Sequence, residues 1–300
     1  IQYKLRHSDF NYLISDDFIQ IINQYYIELK LNFITNSYQA LIVQNYNGFF
    51  EKISTKIFRE IKKPVFFWHH GGIPANYCVK HQERADYFVI MGKRQVDDYV
   101  KMGYDKSKFL ISGHPIYNRE PKNSKFSLSQ ILIITKAQEG YSPLEISSGD
   151  SRGNSILYLY SIQKVLKSFG VNNVRLRPHP SENYNWYKKF IDNSFFLHDD
   201  ADLEKSLKNS TLVIGPISTT IIDSLYNKVN YVLYEPVFNN KTILGLPITP
   251  PLDGKDNRFP TAHNEEELKI IIKEKRKITK DIYSEFAKTP RDISFLKKLI

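Results

Sequence analysis

A histidine between two prolines stands at the end of a short apolar run. Residues 174–180 read Val-Arg-Leu-Arg-Pro-His-Pro, and the prolines restrict the backbone so that His179 lies in a rigid loop beyond a strand end. Arg175 and Arg177 lie on one face of that strand, because side chains alternate along it. Arginine pairs well with phosphate, so the segment, including Pro180, predicts an anion site. The alternative is a turn histidine that caps a helix or bonds a backbone carbonyl.

Three consecutive hydroxyl residues occur later in the chain. Gly215-Pro216-Ile217-Ser218-Thr219-Thr220 follows an apolar run and precedes a helical pattern. Ser218, Thr219 and Thr220 are therefore expected at a helix N-terminus, which attracts phosphate. Gly215 would let a ligand approach the backbone closely. An ordinary helix cap is the alternative, but three hydroxyls exceed what a cap needs, so we expect a phosphate site here.

Two adjacent histidines follow an aromatic strand. His69 and His70 precede two glycines, so we expect an exposed imidazole beside a flexible loop, while the other histidine packs under it. A neutral imidazole is a natural general base for a sugar hydroxyl. Metal binding is less favoured, because the spacing typical of zinc sites is absent.

Two carboxylates also follow predicted strands. Glu139 lies in the loop Gln138-Glu139-Gly140, where it competes with His70 for the role of base. Glu235 follows the strand 231–234, where it could accept hydrogen bonds from a ribose. For both carboxylates the alternative is a solvated side chain with no contact to a ligand.

The elements that carry these residues alternate in type. Short apolar runs and helical patterns follow each other from Ala40 onward, which is typical of βα units with a mainly parallel sheet. The predicted strands are 40–43, 65–68, 87–91 and 109–112 in a first series, and 131–135, 174–176, 194–197, 212–214 and 231–234 in a second.

A polar stretch separates the two series. We predict one Rossmann-like domain over 1–122, a linker over 123–128, a second Rossmann-like domain over 129–264 and C-terminal helices over 265–300. Ligands of such sheets bind beyond the carboxyl ends of the strands. All the loops named above follow predicted strands, so we expect them to converge on a cleft between the two facing domains of an α/β fold.

Composition narrows the classes of partner. The 300 residues are 41% hydrophobic, carry a net charge of +10 and contain one cysteine, Cys78, so we expect a reducing compartment, the cytoplasm. The charge fits acidic small substrates or an anionic membrane surface, but no basic and aromatic module indicates nucleic acid. No apolar run is long enough for a membrane span, and residues 1–6 are too polar for a signal peptide. The chain begins with Ile1, so a piece of a longer protein is an alternative.

An ordered series of motifs resembles a known group. The motifs are Trp68-His69-His70-Gly71, Gly113-His114-Pro115-Ile116-Tyr117-Asn118, Arg177-Pro178-His179-Pro180, Ser218-Thr219-Thr220 before a helix with Asp223, and Tyr234-Glu235-Pro236. This series, over roughly residues 64–236, resembles the GT-B transferases of bacterial surface polymers. Within them it is similar to sialyltransferases and polysialyltransferases, capsule Kdo transferases and CDP-glycerol glycerophosphotransferases.

The resemblance implies an acceptor-side first domain and a nucleotide-donor-binding second domain. It implies a cytidine nucleotide whose phosphate is held by His179 and by Ser218 or Thr219, with no cofactor or metal. Gly72 stands where teichoic acid enzymes carry threonine after His-Gly, and Gln138-Glu139-Gly140 is half of the acidic motif of polysialyltransferases. These departures leave the base unassigned between His70 and Glu139.

We therefore expect a transferase that moves a nonulosonic acid of the sialic, pseudaminic, legionaminic or Kdo type from a CMP donor to a glycan, in capsule or lipopolysaccharide synthesis. His179 as imidazolium, Arg177 and the helix behind Ser218 are expected to stabilise the departing phosphate. One alternative uses CDP-glycerol, CDP-ribitol, or a UDP- or GDP-sugar on the same fold. A further alternative is a nucleotide- or glycan-binding domain without activity.

Overall fold

The computed structural model describes residues 15–44, 48–68, 85–113, 117, 124–136, 149–238, 241–242, 251–287 and 293–300. The chain divides into two compact units. The first holds the described residues up to Met91 with 95–112 and those from 293 on, and the second holds 92–94 and the described part of 113–290. The division falls at Gly113, earlier than the predicted linker at 123–128, and the last residues group with the first unit.

The first unit is built on a short parallel sheet. Its elements are α1 (Asp16–Thr35), β1 (Leu41–Val43), α2 (Phe49–Glu60), β2 (Val65–Trp68), β3 (Tyr87–Ile90), α3 (Lys93–Lys101), a 3-10 turn (Lys106–Lys108), β4 (Phe109–Ile111) and a C-terminal 3-10 helix (Ile293–Lys298). The strands lie in the order β1-β2-β3-β4, and every pair is parallel.

Alternation along β2 builds a core on both faces of this sheet. Val65 and Phe67 face a cluster that includes Phe58 of α2 and residues of α3. Phe66, between them, faces the opposite side and packs with Leu296 of the C-terminal 3-10 helix. A strand covered on both faces reads as a continuous apolar run, which is why Val-Phe-Phe-Trp has no polar position.

Helix α1 differs from the other described α-helices because none of its residues is fully buried. Ser15 caps it by accepting a 3.2 Å hydrogen bond from the Phe18 N–H, and two aspartates occupy its first turn. Among the described residues, no helix combines the length and the apolar character needed to cross a bilayer.

The second unit is larger. Its elements are β5 (Ile131–Ile134), α4 (Gly149–Ser168), β6 (Val174–Arg177), α5 (Tyr184–Tyr187), β7 (Phe196–His198), α6 (Leu203–Lys208), β8 (Leu212–Gly215), α7 (Thr220–Tyr226), β9 (Asn230–Tyr234), β10 (Val237–Phe238), β11 (Lys241–Thr242), β12 (Thr261–Ala262), α8 (Glu265–Lys273) and α9 (Lys280–Phe286). Strands β10 and β11 form a separate antiparallel pair.

The main sheet of the second unit runs in the order β12-β9-β8-β5-β6-β7, and all its pairs are parallel. Residues of β5, β6, β8 and β9 form one buried cluster with α4 and α8. The chain proceeds from β5 to β6 and β7 on one side, and then returns to β8 on the other side of β5. The order therefore reverses at β5 and β8, and the crevice at such a switch point is where α/β sheets bind ligands.

Candidate functional site

The loop after β6 is fixed by side chains from neighbouring segments. The backbone N–H of His179 donates to Thr135 Oγ1 at 3.1 Å and to Glu182 Oε2 at 2.9 Å. Glu182 also accepts a 2.8 Å bond from the buried Tyr187 hydroxyl and one from the Thr135 hydroxyl. Glu182 and Thr135 therefore hold the proline-flanked loop in place, and neither was singled out from the sequence.

The ring of His179 is held in one tautomer. Its Nδ1 atom lies 2.7 Å from Ser181 Oγ and accepts a 3.2 Å hydrogen bond from the Ser181 backbone N–H. A backbone N–H can only donate, so a neutral ring carries its proton on Nε2. Burial lowers the pKa of His179, and the charge of Lys136 adds to this shift while Glu182 opposes it. The resting ring is therefore a neutral donor at pH 7, in contrast to the expected imidazolium.

Arg175 and Arg177 are used inside the unit. Arg175 forms a 2.7 Å ion pair with Asp199 and donates to the carbonyl oxygens of Ser206 and Asn209 at 3.0 and 2.9 Å. Arg177 Nη1 lies 3.3 Å from the same carboxylate, whose side chain is 2% exposed. This arrangement differs from the expected contact with phosphate, because a buried aspartate directly after the next strand, β7, pairs with both guanidiniums.

Gly215 is required by packing. A Cβ atom at this position would lie 2.3 Å from Ile134 Cγ1 and 2.4 Å from the Tyr231 hydroxyl, both inside contact distance. The same hydroxyl donates a 2.6 Å hydrogen bond to the Pro216 carbonyl. The structure thus explains Gly215 by the neighbouring side chains, whereas we expected it to admit a ligand.

Two side chains hold Ile217, the residue before the hydroxyl run. Its N–H donates to Glu235 Oε1 at 2.7 Å, and its carbonyl accepts a 2.5 Å bond from Lys136 Nζ. Lys136 is the second residue after β5, and Glu235 directly follows β9. The carboxyl ends of β5, β8 and β9 are therefore joined through the backbone of one residue.

The hydroxyl run begins a helix of seven residues, α7. Ser218 Oγ accepts a 3.2 Å bond from the Thr220 N–H and lies 3.1 Å from Thr220 Oγ1. Thr219 is exposed and makes no side-chain capping bond. Ser218 therefore bonds the backbone at the start of α7, and the contact of this run with phosphate stays a prediction.

Glu235 is buried, in contrast to a solvated carboxylate at a strand end. The residue is 1% exposed, and no described residue donates a hydrogen bond to its Oε2 atom. Burial raises its pKa, while the Ile217 N–H and the charges of Lys136 and His263 reduce that rise. A buried carboxylate oxygen without a donor can accept a hydrogen bond from a ligand hydroxyl.

Lys136 is a site residue that the sequence did not single out, because Glu139 was the expected functional residue after the same strand. Burial lowers the pKa of its ammonium group, and the charge of Glu235 opposes this shift. Its position directly after a predicted strand is the signal that could have identified it, since Glu235 also directly follows a predicted strand.

Tyr117 and Asp223 belong to two of the motifs on which the resemblance rests. The Tyr117 hydroxyl donates a 2.7 Å hydrogen bond to Asp223 Oδ1 on α7. Burial raises the pKa of Asp223, and this hydrogen bond partly offsets the rise. The two motifs thus meet in a side-chain contact within the second unit.

The expected bases His69, His70 and Glu139 lie outside the described residues, so the general base stays a prediction. Within the described ranges, no three side chains of histidine, cysteine, aspartate or glutamate are grouped in a way that could hold a metal ion.

No protein-family model matches the sequence, and no curated protein sequence matches it. Solved structures do match. The UDP-GlcNAc 2-epimerase of Methanocaldococcus jannaschii in complex with UDP-GlcNAc and UDP is similar at a TM-score of 0.60 and 12% identity, over 91% of this chain and 79% of that one.

Two further structures match in the same way. The S. aureus MnaA-UDP structure has a TM-score of 0.55 and 12% identity, over 93% of this chain and 79% of that chain. The UDP-GlcNAc 2-epimerase from Neisseria meningitidis bound to UDP-GlcNAc has a TM-score of 0.52 and 11% identity, over 91% and 78%. At such identities the likeness establishes the fold alone. The chain has the α/β GT-B fold of two Rossmann-like units.

Proposed function

We propose that the chain is a glycosyltransferase that moves a nonulosonic acid from a CMP-activated donor to a glycan acceptor in bacterial capsule or lipopolysaccharide synthesis. The observation that carries the proposal is the convergence of Lys136, His179, Ile217 and Glu235 at the strand ends beside the switch point of the second sheet. This is where a doubly wound sheet binds a nucleotide.

The chemistry of these groups supports a nucleotide. His179 presents a neutral Nε2–H, a hydrogen-bond donor suited to a phosphate oxygen. Glu235 has one oxygen to which none of the residues in the described ranges donates, and this oxygen suits a ribose hydroxyl. The backbone of Pro216 and Ile217 is already bonded by Tyr231, Glu235 and Lys136. The site is therefore rigid before a ligand binds, which lowers the entropic cost of binding.

Transfer follows from this arrangement. The bond between the anomeric carbon and the phosphate oxygen breaks, and CMP leaves with the bonding electrons. The acceptor oxygen bonds to the anomeric carbon, and its proton passes to the base, His70 or Glu139. His179 donates its Nε2 proton in a hydrogen bond to the leaving phosphate as negative charge grows there.

A UDP-sugar is the second candidate donor. The similar structures named above contain UDP-GlcNAc or UDP, and this favours a uridine nucleotide over the CDP-polyols. The enzyme would then transfer or epimerise the sugar on the same fold. A protein that binds nucleotide without turnover stays the non-enzymatic alternative.

A panel of donors tests the proposal. CMP-activated sialic, pseudaminic and legionaminic acids and Kdo, with UDP-GlcNAc and CDP-glycerol, are incubated with glycan acceptors and analysed by mass spectrometry. We expect a glycan heavier by one nonulosonic acid, with CMP released. Turnover of UDP-GlcNAc alone would contradict the CMP assignment, and nucleotide binding with no turnover of any donor would contradict the enzyme assignment.

Two variants then separate the candidate bases. His70→Ala and Glu139→Ala are compared at saturating donor. Loss of turnover with donor affinity retained identifies the base, and full activity of both variants removes both candidates.

The proposal includes peripheral contact with the anionic inner membrane on the cytoplasmic side. Ile19, Ile27, Leu31 and Ile34 share one face of α1 and are between 48% and 59% exposed. The protein also carries a net charge of +10. An exposed apolar helix face on a cationic protein supports binding to a surface of anionic lipid.

A further inference from the structure

The position of Lys136 distinguishes it from the other cations of the second unit. It is the second residue after β5, the strand beside the switch point, and its Nζ reaches the backbone of the neighbouring β8 loop at 2.5 Å. In the described strand-end segments 135–136, 178–182, 215–220 and 235, Lys136 is the single lysine or arginine. Arg175 and Arg177, which precede the β6 loop, are paired with Asp199.

The charge of Lys136 is only partly balanced. An ammonium group has three donors, and the described residues accept one of them, through the Ile217 carbonyl. Its carboxylate neighbour, Glu235, is bonded to the Ile217 N–H and acts on Lys136 through space. A half-buried ammonium with one neutral acceptor gains from a second, anionic partner.

We propose that Lys136, together with the Nε2–H of His179, binds the phosphate of the nucleotide donor. From the sequence, this role was expected for Arg175 and Arg177. This inference rests on the proposed function, because it takes a nucleotide to be the ligand of these strand ends. Lys136 keeps its bond to Ile217 in the complex, so that the phosphate lies beside the β8 loop.

A proton linkage follows from the surroundings of Lys136. Among the described residues, Glu235 on the β9 side and His179 on the β6 side are the titratable groups that interact with it. Burial lowers the pKa of Lys136 in the free protein, and a bound phosphate would raise it again. Binding therefore takes up a proton once the pH exceeds the pKa of the free lysine, and affinity falls by up to about tenfold per pH unit above that point.

The test compares two ligands that differ only in the phosphate, CMP and cytidine, by ligand-observed NMR. We expect Lys136→Met to weaken the affinity for CMP by about 10- to 100-fold and to change the affinity for cytidine by less than about threefold. Lys188→Met, at an exposed position of the same unit, should leave both ligands unchanged.

Measurements from pH 7.5 upward add a second readout. The phosphate of CMP stays a dianion there, so a change in CMP affinity reports the protein. We expect wild-type affinity to fall at high pH and that of Lys136→Met to stay constant.

The outcomes separate the two proposals. Equal CMP affinity of wild type and Lys136→Met would overturn the assignment of Lys136. An equally large loss of cytidine affinity in Lys136→Met would also overturn the assignment, because such a loss would show that Lys136 only supports the loop. If wild type binds neither CMP nor UMP, the proposed function itself fails.

Discussion

The Tyr117 hydroxyl donates a 2.7 Å hydrogen bond to Asp223, although 106 positions separate the two residues. The ring of Tyr117 packs edge-on against Tyr226, which also belongs to α7. Helix α7 begins directly after the Ser218 loop. These contacts therefore join Tyr117 to the helix that begins directly after Ser218 and Thr219.

Tyr117→Phe should destabilise the second unit. The change removes the donor to a buried carboxylate and leaves Asp223 without it, at a cost of about 1–3 kcal/mol. The free energy of unfolding from urea titration measures this cost. Unchanged stability of Tyr117→Phe would show that the hydrogen bond does not form in solution.

Asp223→Asn is the companion variant, with the sign set by the raised pKa of Asp223. A carboxyl group whose pKa is raised on folding stabilises the protein below its unfolded pKa, and this contribution is lost as the pH rises through the folded pKa. The asparagine variant should be at least as stable as wild type at pH 7. The difference should close as the pH falls toward 4, as unfolding across this pH range can measure.

His179→Ala should lower the turnover by about 100- to 1,000-fold, because it removes a donor to the leaving phosphate. It should also weaken CMP. Steady-state kinetics with the active donor checks the first effect, and full activity of this variant would refute the role of His179.

The lowered pKa of His179 predicts how CMP affinity depends on pH. A bound phosphate favours the imidazolium, so wild-type CMP affinity should rise relative to that of His179→Gln as the pH falls from 8 to 6. Comparing the two proteins at each pH cancels the ionisation of CMP itself. A ratio that is constant with pH would exclude proton uptake at His179.

Arg175→Ala should affect stability and not binding. Arg175 holds the buried Asp199 and two backbone carbonyls, so its loss should cost about 1.5–3 kcal/mol. CMP affinity should stay within about twofold. Arg258→Ala is the control, because Arg258 is a more exposed arginine in ion pairs and should cost under about 1 kcal/mol.

Substitution of the apolar face of α1 should weaken membrane contact. We expect wild type to sediment with phosphatidylglycerol vesicles and the double variant Ile27→Gln, Leu31→Gln to bind less. Leu157→Gln, at an exposed apolar position of α4, is the control. Because the attraction is partly electrostatic, binding should also fall as salt rises. Absence of wild-type binding would reject this surface.

The sequence was most informative about the strands. Every predicted strand is present, with ends shifted by one or two residues, because buried parallel strands are nearly continuous apolar runs. The loop of His179 was also predicted correctly at the end of β6, because the prolines stop the strand there.

The partners of polar side chains were not predictable. The alternation of side chains along β6 placed Arg175 and Arg177 on one face, but nothing in the sequence indicated that Asp199, after β7, would pair with them. Likewise, the burial of Glu235 depends on strands and loops distant in sequence. Local patterns predict elements, whereas the pairing of side chains between elements depends on the tertiary fold.

The pairing of β5 with β8 has a consequence for how the second unit forms. Ile131 lies beside Leu212, so the central strand β5 can complete its pairing only after β8, far along the chain, has been synthesised. Closing such a long loop makes folding slow. The backbone edge and the apolar side chains of β5 stay exposed until β8 pairs with it. During synthesis, a nascent chain that ends before residue 212 would present this edge to other chains, so aggregation of truncated forms is the expected failure of this protein in the cell.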